Sequence, residues 1–497
     1  MSWRLFTLSL LAFSIAGSAG MARDRHFNRI YDRDLEENQS DSSPQATEMR
    51  SHAENAYLTG DYPKVVELTS QLIANFPEDH PQIAWHMRAS ARIEMGRASG
   101  SAKQVRDGIS DARQALALAG KEYPWLHIPY LYGLTSLADL ERRPEHAEMA
   151  IQVVTPVLKY PASKGFTEED RANLYYQRGL AYAAKREFKL AAADQSEAVR
   201  LAPDHLGACV KHAEALAGAG DVKAALAAYD EAVERFPNNL LVYNDRGNFR
   251  RKSGDLDGAI SDFSRCLLID PRFAVGFLNR GFVLMEQDQP QAAAGDFSEA
   301  LKLKLGPGQN VLAWRLRASA RVAQGEAAAG IADLTAAIKA SPQEAGLYEE
   351  RAFASFFTKN FAAAGDDFAK ARQLNAQLTH LVRWQALVEA RAGRAAEARV
   401  LLETALAAAA PPAEWTAWLC RFLLDQVPEQ ELLENSAAGS SREKNRHLCE
   451  ARFFAGQKQL LRDEARSATE SFRDAVATRE HTLSAYRGAR YELNDFK

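Results

Sequence analysis

The chain has 497 residues, 46% hydrophobic and 25% charged, with 61 Lys and Arg against 65 Asp and Glu and a net charge of −4. A slightly acidic balance with no Lys/Arg stripe excludes a binder of phosphate backbones, so no nucleic-acid partner is expected. Four cysteines in so long a chain exclude a disulfide framework, and the fold must be held by packing.

The chain opens with a secretory signal, expected over residues 1–22. Arg4 precedes an apolar stretch from Leu5 to Ile15, and the small residues Gly17, Ser18 and Ala19 follow. Cleavage is expected after Ala19, with Ala22 as the alternative. The stretch is too short for a membrane span and no cysteine follows it to take a lipid, so an exported, periplasmic or extracellular protein is expected. An uncleaved N-terminal anchor is the competing reading. Residues 23–45 are charged, poor in apolar residues and aperiodic, the composition of a disordered tether.

Degenerate helical repeats are expected over 46–161. Ala53, Gly60, Asp61, Tyr62 and Pro77 fit one unit; Arg88 and Ala89 through Ala115, and Gly133 through Pro161, fit two more with insertions. A regular array follows over 172–410 with a beat of 34 residues. Gly179, Ala213, Gly247 and Gly281 form one column, Ala191, Ala225, Ala259 and Ala293 a second, and Ala198, Ala232, Cys266 and Ala300 a third. Small residues suit these columns because closely crossed helices leave no room for a larger side chain. The aromatic column reads Tyr229, Phe263 and Phe297, with Gln195 the exception. Four residues past the second-column alanine, each ring lies one turn along the same face and can fill space against the next unit. Pro203, Pro237 and Pro271 lack the amide that would extend a helix, so they end each unit. Gly306, Pro307 and Gly308 read as a loop between repeats, after which the register resumes with Ala318, Gly330, Leu334, Ala337 and Pro342. It continues through Ala352, Ala364, Phe368 and Ala371, then Ala386, Ala398, Leu402, Ala405 and Pro411. Irregular helices are expected over 411–433, a polar linker over 434–445, and repeat-like helices with a cap over 446–497.

A charged pattern accompanies the beat. Arg178, Arg246, Arg280, Arg317 and Arg351 each precede the small residue by one, and Asp194, Asp262, Asp296, Asp333 and Asp367 lie 16 residues after them. Where the arginine is replaced, by His212 or Gln385, the aspartate is replaced too, by Ala228 or Leu401. Paired loss points to structural ion pairs between helices, because one half-buried charge without its partner is costly. A ladder of ligand-binding arginines is the alternative.

Nothing in the chain carries chemistry. Nucleophile elbows, phosphate loops, His-Glu-x-x-His and Cys-x-x-Cys are all missing, so no enzyme, no cofactor and no metal site is expected. The His-Ala-Glu triplets at His52, His146 and His212 place their side chains on different helix faces. Cys266, in a small-residue column, is expected as a buried free thiol; Cys209 lies on a first helix; Cys420 and Cys449 flank the polar linker and are a candidate bonded pair.

Small, alanine, aromatic and proline columns at this spacing resemble the tetratricopeptide repeat (TPR). That resemblance implies an all-α fold, an α-solenoid formed as a right-handed superhelix of stacked helix-turn-helix repeats, which grips a protein or peptide in its concave groove. Transferred column by column, it selects Asn244, Asn248, Arg251, Asn279, Phe282, Arg315, Phe353 and Phe356 as partner-binding residues, with Phe357, Arg383 and Arg391 alongside. Amides at Asn244, Asn248 and Asn279 suit an extended peptide backbone, and Phe353, Phe356 and Phe357 suit an apolar anchor, with packing of these rings inside or between units as the alternative. The carboxylate clamp of the family's co-chaperone members is not reproduced, because Leu312 and Leu316 stand where its basic residues would be. Ala468 to Leu493 resembles the closing segment of bacterial cell-envelope repeat lipoproteins that act as protease adaptors. The expected function is a non-catalytic scaffold or adaptor of the cell envelope. A glycan-binding or polysaccharide-secretion component is the alternative, with Trp415 and Trp418 the residues to watch, although their spacing is that of an ordinary buried helix face.

Overall fold

The computed structural model describes residues 43–119, 124–160, 166–303, 305–408, 413–481 and 483–495. The expected signal, all but the end of the expected tether, and Pro161 and Pro411 lie outside these residues. Among the described residues the chain forms 25 α-helices and no strand. It divides into two compact units, one ending at Asp270 and the other beginning at Pro271.

In the first unit the helices run in antiparallel pairs: α1 (Pro44–Leu58) with α2 (Tyr62–Asn75), α3 (Pro81–Ser99) with α4 (Ala102–Ala119), and α5 (His127–Glu141) with α6 (Pro144–Val157). Three regular pairs follow: α7 (Glu168–Ala184) with α8 (Phe188–Leu201), α9 (Leu206–Gly218) with α10 (Val222–Arg235), and α11 (Leu240–Lys252) with α12 (Leu256–Ile269). The second unit continues with α13 (Ala274–Glu286) and α14 (Pro290–Lys302), α15 (Pro307–Ala323) and α16 (Ala327–Ala340), α17 (Ala345–Phe357) and α18 (Phe361–Leu374), and α19 (Val382–Arg391) and α20 (Ala395–Ala407). It ends with α21 (Glu414–Leu423), α22 (Glu429–Ser436), α23 (Ser441–Leu461), α24 (Ala465–Ala477) and α25 (Ser484–Asp495). Each unit is thus a stack of helix pairs, the architecture of an all-α solenoid.

The columns act locally as their chemistry dictates. Pro203, Pro237, Pro271 and Pro342 each follow a second helix by two residues, where no further intrahelical amide is available. A methyl group at Gly247 would lie 2.9 Å from the Phe263 ring, and one at Gly281 2.7 Å from the Phe297 ring. In these two units the ring therefore packs onto its own first helix, where glycine leaves space for it. Gln195 occupies the aromatic place in its unit by donating from Nε2 to the Tyr176 carbonyl at 3.0 Å, which satisfies the buried amide nitrogen. The same contact recurs between Gly456 and Phe472 near the C-terminus, at 2.6 Å.

Two expectations about connections change. Pro307 is the first helical residue of α15 and Gly308 the second, so the loop between repeats stops at Gly306. Proline is preorganised for that position, since its missing amide would have had no helical partner. The stretch 434–445 contributes the end of α22 and the start of α23, and only 437–440 fall outside helix. There the Ser440 hydroxyl accepts from the Glu443 amide while Glu443 accepts from Ser440, a capping box that nucleates α23 directly.

All four cysteines are buried free thiols, Cys420 and Cys449 included. Cys420 packs with Val382, Ala386 and Leu402, and Cys449 joins the large core around Phe453. Burial pushes the Cys266 thiol up to about 12, so it behaves as a small apolar group.

Candidate partner-binding surface

The five arginine–aspartate pairs all close in the same way. Nε and Nη2 of Arg178 donate to the two oxygens of Asp194, both at 2.7 Å. The same two-pronged contact joins Arg246 to Asp262 at 3.0 and 2.6 Å, Arg280 to Asp296 at 2.8 and 2.7 Å, Arg317 to Asp333 at 2.9 and 2.6 Å, and Arg351 to Asp367 at 2.8 and 2.8 Å. The aspartates are buried and the arginines largely so. Hydrogen bonds to Asp194, Asp296 and Asp367 raise the affinity of Arg178, Arg280 and Arg351 for their protons still further.

The remaining nitrogen, Nη1, reaches the preceding helix pair. Arg178 donates to Thr155, Arg246 to Asp230, Arg317 to Ser298 and Arg351 to Thr335, at 2.7 to 3.4 Å. These four forks therefore clamp their own pair and tie it to the one before. These guanidinium groups are committed to the stack and are not offered to a ligand.

A sixth fork was not legible in the spacing. Arg88 holds Asp111 at 3.0 and 2.9 Å and reaches Ser70 with Nη1 at 3.1 Å. Its aspartate lies 23 residues on because α3 is 19 residues long. In the unit of Gln385, which lacks the fork, the Gln385 side-chain carbonyl accepts from Arg372 at 2.6 Å.

The residues expected to bind a partner divide by helix geometry. At about 100° per residue, positions three before and four after the small residue lie only about 60° and 40° from it around the helix, toward the second helix. Asn244 and Phe356 occupy such positions and are buried, at 1% and 2% exposure. Asn244 donates to Asp245 at 3.3 Å, and Phe356 lies within 5.7 to 6.1 Å of the rings of Phe361, Trp384 and Phe453. Both are therefore corrected from partner contacts to interior residues. Positions two before, one after and five after the small residue point away from the second helix.

In the first unit those outward positions carry Lys211 and Glu214 on α9 and Asp245, Asn248 and Lys252 on α11, all partly or fully exposed. Arg251 is half-buried beside them. Lys211 Nζ pairs with Glu214 at 2.6 Å. Burial works against the Lys211 charge, and the Glu214 carboxylate outweighs it and keeps the ammonium protonated. Asp245 behaves oppositely: burial first, and the like charge of Glu214 second, push its carboxyl up to about 7.

In the second unit the same face is covered by the chain itself. Phe282 is 2% exposed and Asn279 is also buried, so neither presents a surface for an extended peptide, which corrects both. Phe353 is partly buried between the rings of Phe368 and Trp384, at 5.1 and 4.9 Å. Arg315 is held by Glu344 at 3.0 Å and Glu350 at 2.6 Å. Phe357 stacks on Tyr491 of α25 at 4.5 Å, and the Tyr491 hydroxyl donates to the Val322 carbonyl at 2.6 Å. Arg383 is buried, bonded to Thr416 and Glu450, and Arg391 reaches Glu492 at 3.0 Å. What is left is a cavity of about 110 Å³ bounded by Phe282, Arg315, Phe353, Phe357, Ser484 and Arg487 among others. Trp415 stacks on His447 at 4.2 Å and donates to Glu450, so with Trp418 it packs against the core. Among the described residues, no group of acids, histidines and cysteines is placed to hold a metal, and no helix is long and apolar enough to cross a membrane.

Comparison with known proteins agrees with the repeat geometry. Residues 172–205, 210–271 and 278–345 match tetratricopeptide repeat families. No curated protein sequence matches the chain. Among solved structures, MamA is 23% identical with a TM-score of 0.32, over 34% of this chain and 90% of that one. YrrB, described as a TPR protein with an unusual peptide-binding site, is 19% identical with a TM-score of 0.33, over 37% of this chain and 94% of that one. A tetratricopeptide repeat protein from Parabacteroides merdae ATCC 43184 is 15% identical with a TM-score of 0.34, over 65% of this chain and 99% of that one. With the columns, the helix pairs and the family matches in agreement, the stretch from residue 172 to residue 345 carries tetratricopeptide repeats.

Proposed function

We propose that the chain is an exported, non-catalytic scaffold or adaptor of the cell envelope, and that it holds a segment of a partner protein on the first-helix face of α9 and α11. Tetratricopeptide repeats are protein-interaction modules, built to present such faces. The observation that carries the assignment to this face is the contrast in cover. Lys211, Glu214, Asp245, Asn248 and Lys252 keep solvent access, whereas Phe282, Phe356 and Phe357 are buried within their own unit. A polar face of this kind grips a backbone and charged side chains rather than an apolar anchor. The apolar sequence from Leu5 to Ile15 supports export, and the absence of any catalytic motif supports a binding role.

The test is capture from an envelope extract by the immobilised chain, with captured proteins identified by mass spectrometry. Asn248→Glu combined with Arg251→Glu is expected to lose the captured set, and Phe353→Ala to keep it. Capture that survives the first pair of changes and fails with Phe353→Ala would move the site to the second unit. Cell fractionation tests export, with the protein expected in the envelope or the medium.

A further inference from the structure

Apart from the α9 and α11 face, we propose that the cavity in the second unit is a binding site for a small zwitterion with a compact apolar body, a free α-amino acid such as leucine or isoleucine. Its carboxylate meets Arg487 and Ser484 at the start of α25, its ammonium meets Glu349 on α17, and its side chain lies against Phe282, Phe353 and Phe357.

The walls of the cavity are already built. Glu349, Phe353 and Phe357 follow one another at one-turn intervals along α17, so an acidic group stands at the end of an aromatic strip. Phe353 is wedged between Phe368 and Trp384, and Phe357 is stacked on Tyr491, so these rings keep their places without a ligand. Ser484 and Arg487, three residues apart on one face of α25, also line the space. At about 110 Å³ the cavity has room for on the order of ten water-sized groups, which suits one small molecule and not a length of polypeptide. Glu349 and Arg487 keep partial solvent access, which gives a route of entry.

The charges decide what fits. Arg315 and Glu350 border the cavity but satisfy each other: Nε and Nη2 of Arg315 reach Glu350 at 2.8 and 2.6 Å, and Nη1 reaches Glu344 at 3.0 Å. Glu349 and Arg487 remain. Arg487 makes one hydrogen bond among the described residues, from Nε to the His481 carbonyl at 3.4 Å, and no ion pair. Burial opposes its charge, and the Glu350 carboxylate offsets only part of that cost. Glu349 has one ion pair, with His380 Nε2 at 3.5 Å, which holds only while that ring is protonated. The Ser319 and Ser484 hydroxyls on the same cavity make no hydrogen bond among the described residues.

One cation and one anion thus face a shared space without meeting. Arg487, Ser484 and the first-turn amides of α25, which have no partner within the helix, form a seat for a carboxylate. A simple carboxylic acid would leave Glu349 unmatched, and a simple amine would leave Arg487 unmatched. The end of a polypeptide carries only one of the two charges. A free amino acid carries both beside an apolar group.

Isothermal titration of the full chain with L-leucine, L-isoleucine, glycine, isocaproate, isoamylamine and N-acetyl-leucine tests the site. Leucine and isoleucine are expected to bind. Each analogue lacking one charge or the side chain should bind at least about tenfold more weakly, because it leaves a charge or the aromatic strip without its partner. Arg487→Gln is expected to weaken leucine about tenfold or more and to leave isoamylamine unchanged, whereas Glu349→Gln weakens leucine and leaves isocaproate unchanged. A merely structural role would weaken every ligand alike, and thermal melts check that each variant folds. Should a variant fail to fold, the ligand series on the wild-type chain decides alone. No binding of leucine at millimolar concentration would overturn the proposal, as would isocaproate, isoamylamine or N-acetyl-leucine binding as tightly as leucine. Leucine binding unchanged by Arg487→Gln would do the same. Capture of a partner through α9 and α11 is independent of either result.

Discussion

At matching outward positions of the repeat, the unit ending at Asp270 carries Lys211, Glu214, Asp245 and Asn248, and the unit beginning at Pro271 carries Glu350, Phe353, Trp384 and Leu387. The two units share the beat and the arginine–aspartate forks, yet one face is polar and accessible and the other is aromatic and covered. The difference follows from what the chain supplies to each. In the second unit α23 brings Phe453 and Phe454 against Trp384, at 5.0 and 5.2 Å, and α25 brings Tyr491 onto Phe357. An aromatic face on a repeat is therefore as much a docking site for the chain's own later helices as for a partner. A polar face that no described element covers is the better mark of a binding surface.

The sharpest way to break this comparison is to remove a ring from the covered face. Phe356→Ala should cost about 3–5 kcal/mol, measured as a shift in the denaturant midpoint, because it empties a site packed by Phe361, Trp384 and Phe453. A cost below about 1 kcal/mol would mean that the face is open after all.

The forks allow a matched pair of tests, one in each unit. Asp262 serves two arginines, Arg246 and Arg250, whereas Asp367 serves Arg351. Asp262→Ala should therefore cost about 3 kcal/mol and Asp367→Ala about 2, both by denaturation. Replacing Arg351 and Asp367 together by leucines should recover much of the loss, since no charge is then left stranded.

A smaller effect separates the units by pH. With the Asp245 carboxyl at about 7, above its ordinary value, the folded chain binds more protons than the unfolded chain between about pH 4 and about pH 7. Stability falls as pH rises through that window and is level above it. Asp245→Asn should remove the fall, gaining on the order of 1 kcal/mol at about pH 8 and nothing at about pH 4, read from thermal melts. The least effect, about 0.5–1.5 kcal/mol, is expected for Tyr491→Phe, which loses the hydrogen bond to the Val322 carbonyl and keeps the stack on Phe357.

The repeat could be read from the chain because its requirements are local. A glycine 16 residues before a phenylalanine, a proline two residues past a helix and a paired arginine and aspartate each answer to one helix pair, and repetition makes each visible. The Arg88 fork escaped because one long helix stretched the spacing to 23 residues. The proposed partner face was legible only in part. Family positions singled out Asn248 and Arg251, which lie on the accessible face, but also Asn244 and Phe356, which the helix wheel turns inward. Lys211 and Asp245, two residues before the small position, were missed, although a wheel drawn about Ala213 and Gly247 would have turned them outward.

Taken alone, then, the amino-acid order determined the helices, their pairing, their caps and the charged clamps between neighbours, since all of these depend on contacts within about one repeat. Tertiary structure decided which repeats keep an accessible face. Tyr491 meets Val322 across 169 residues and Arg391 meets Glu492 across 101, and no periodic pattern records contacts that occur once. Folding brought those residues together, and it left the polar face of α9 and α11 accessible.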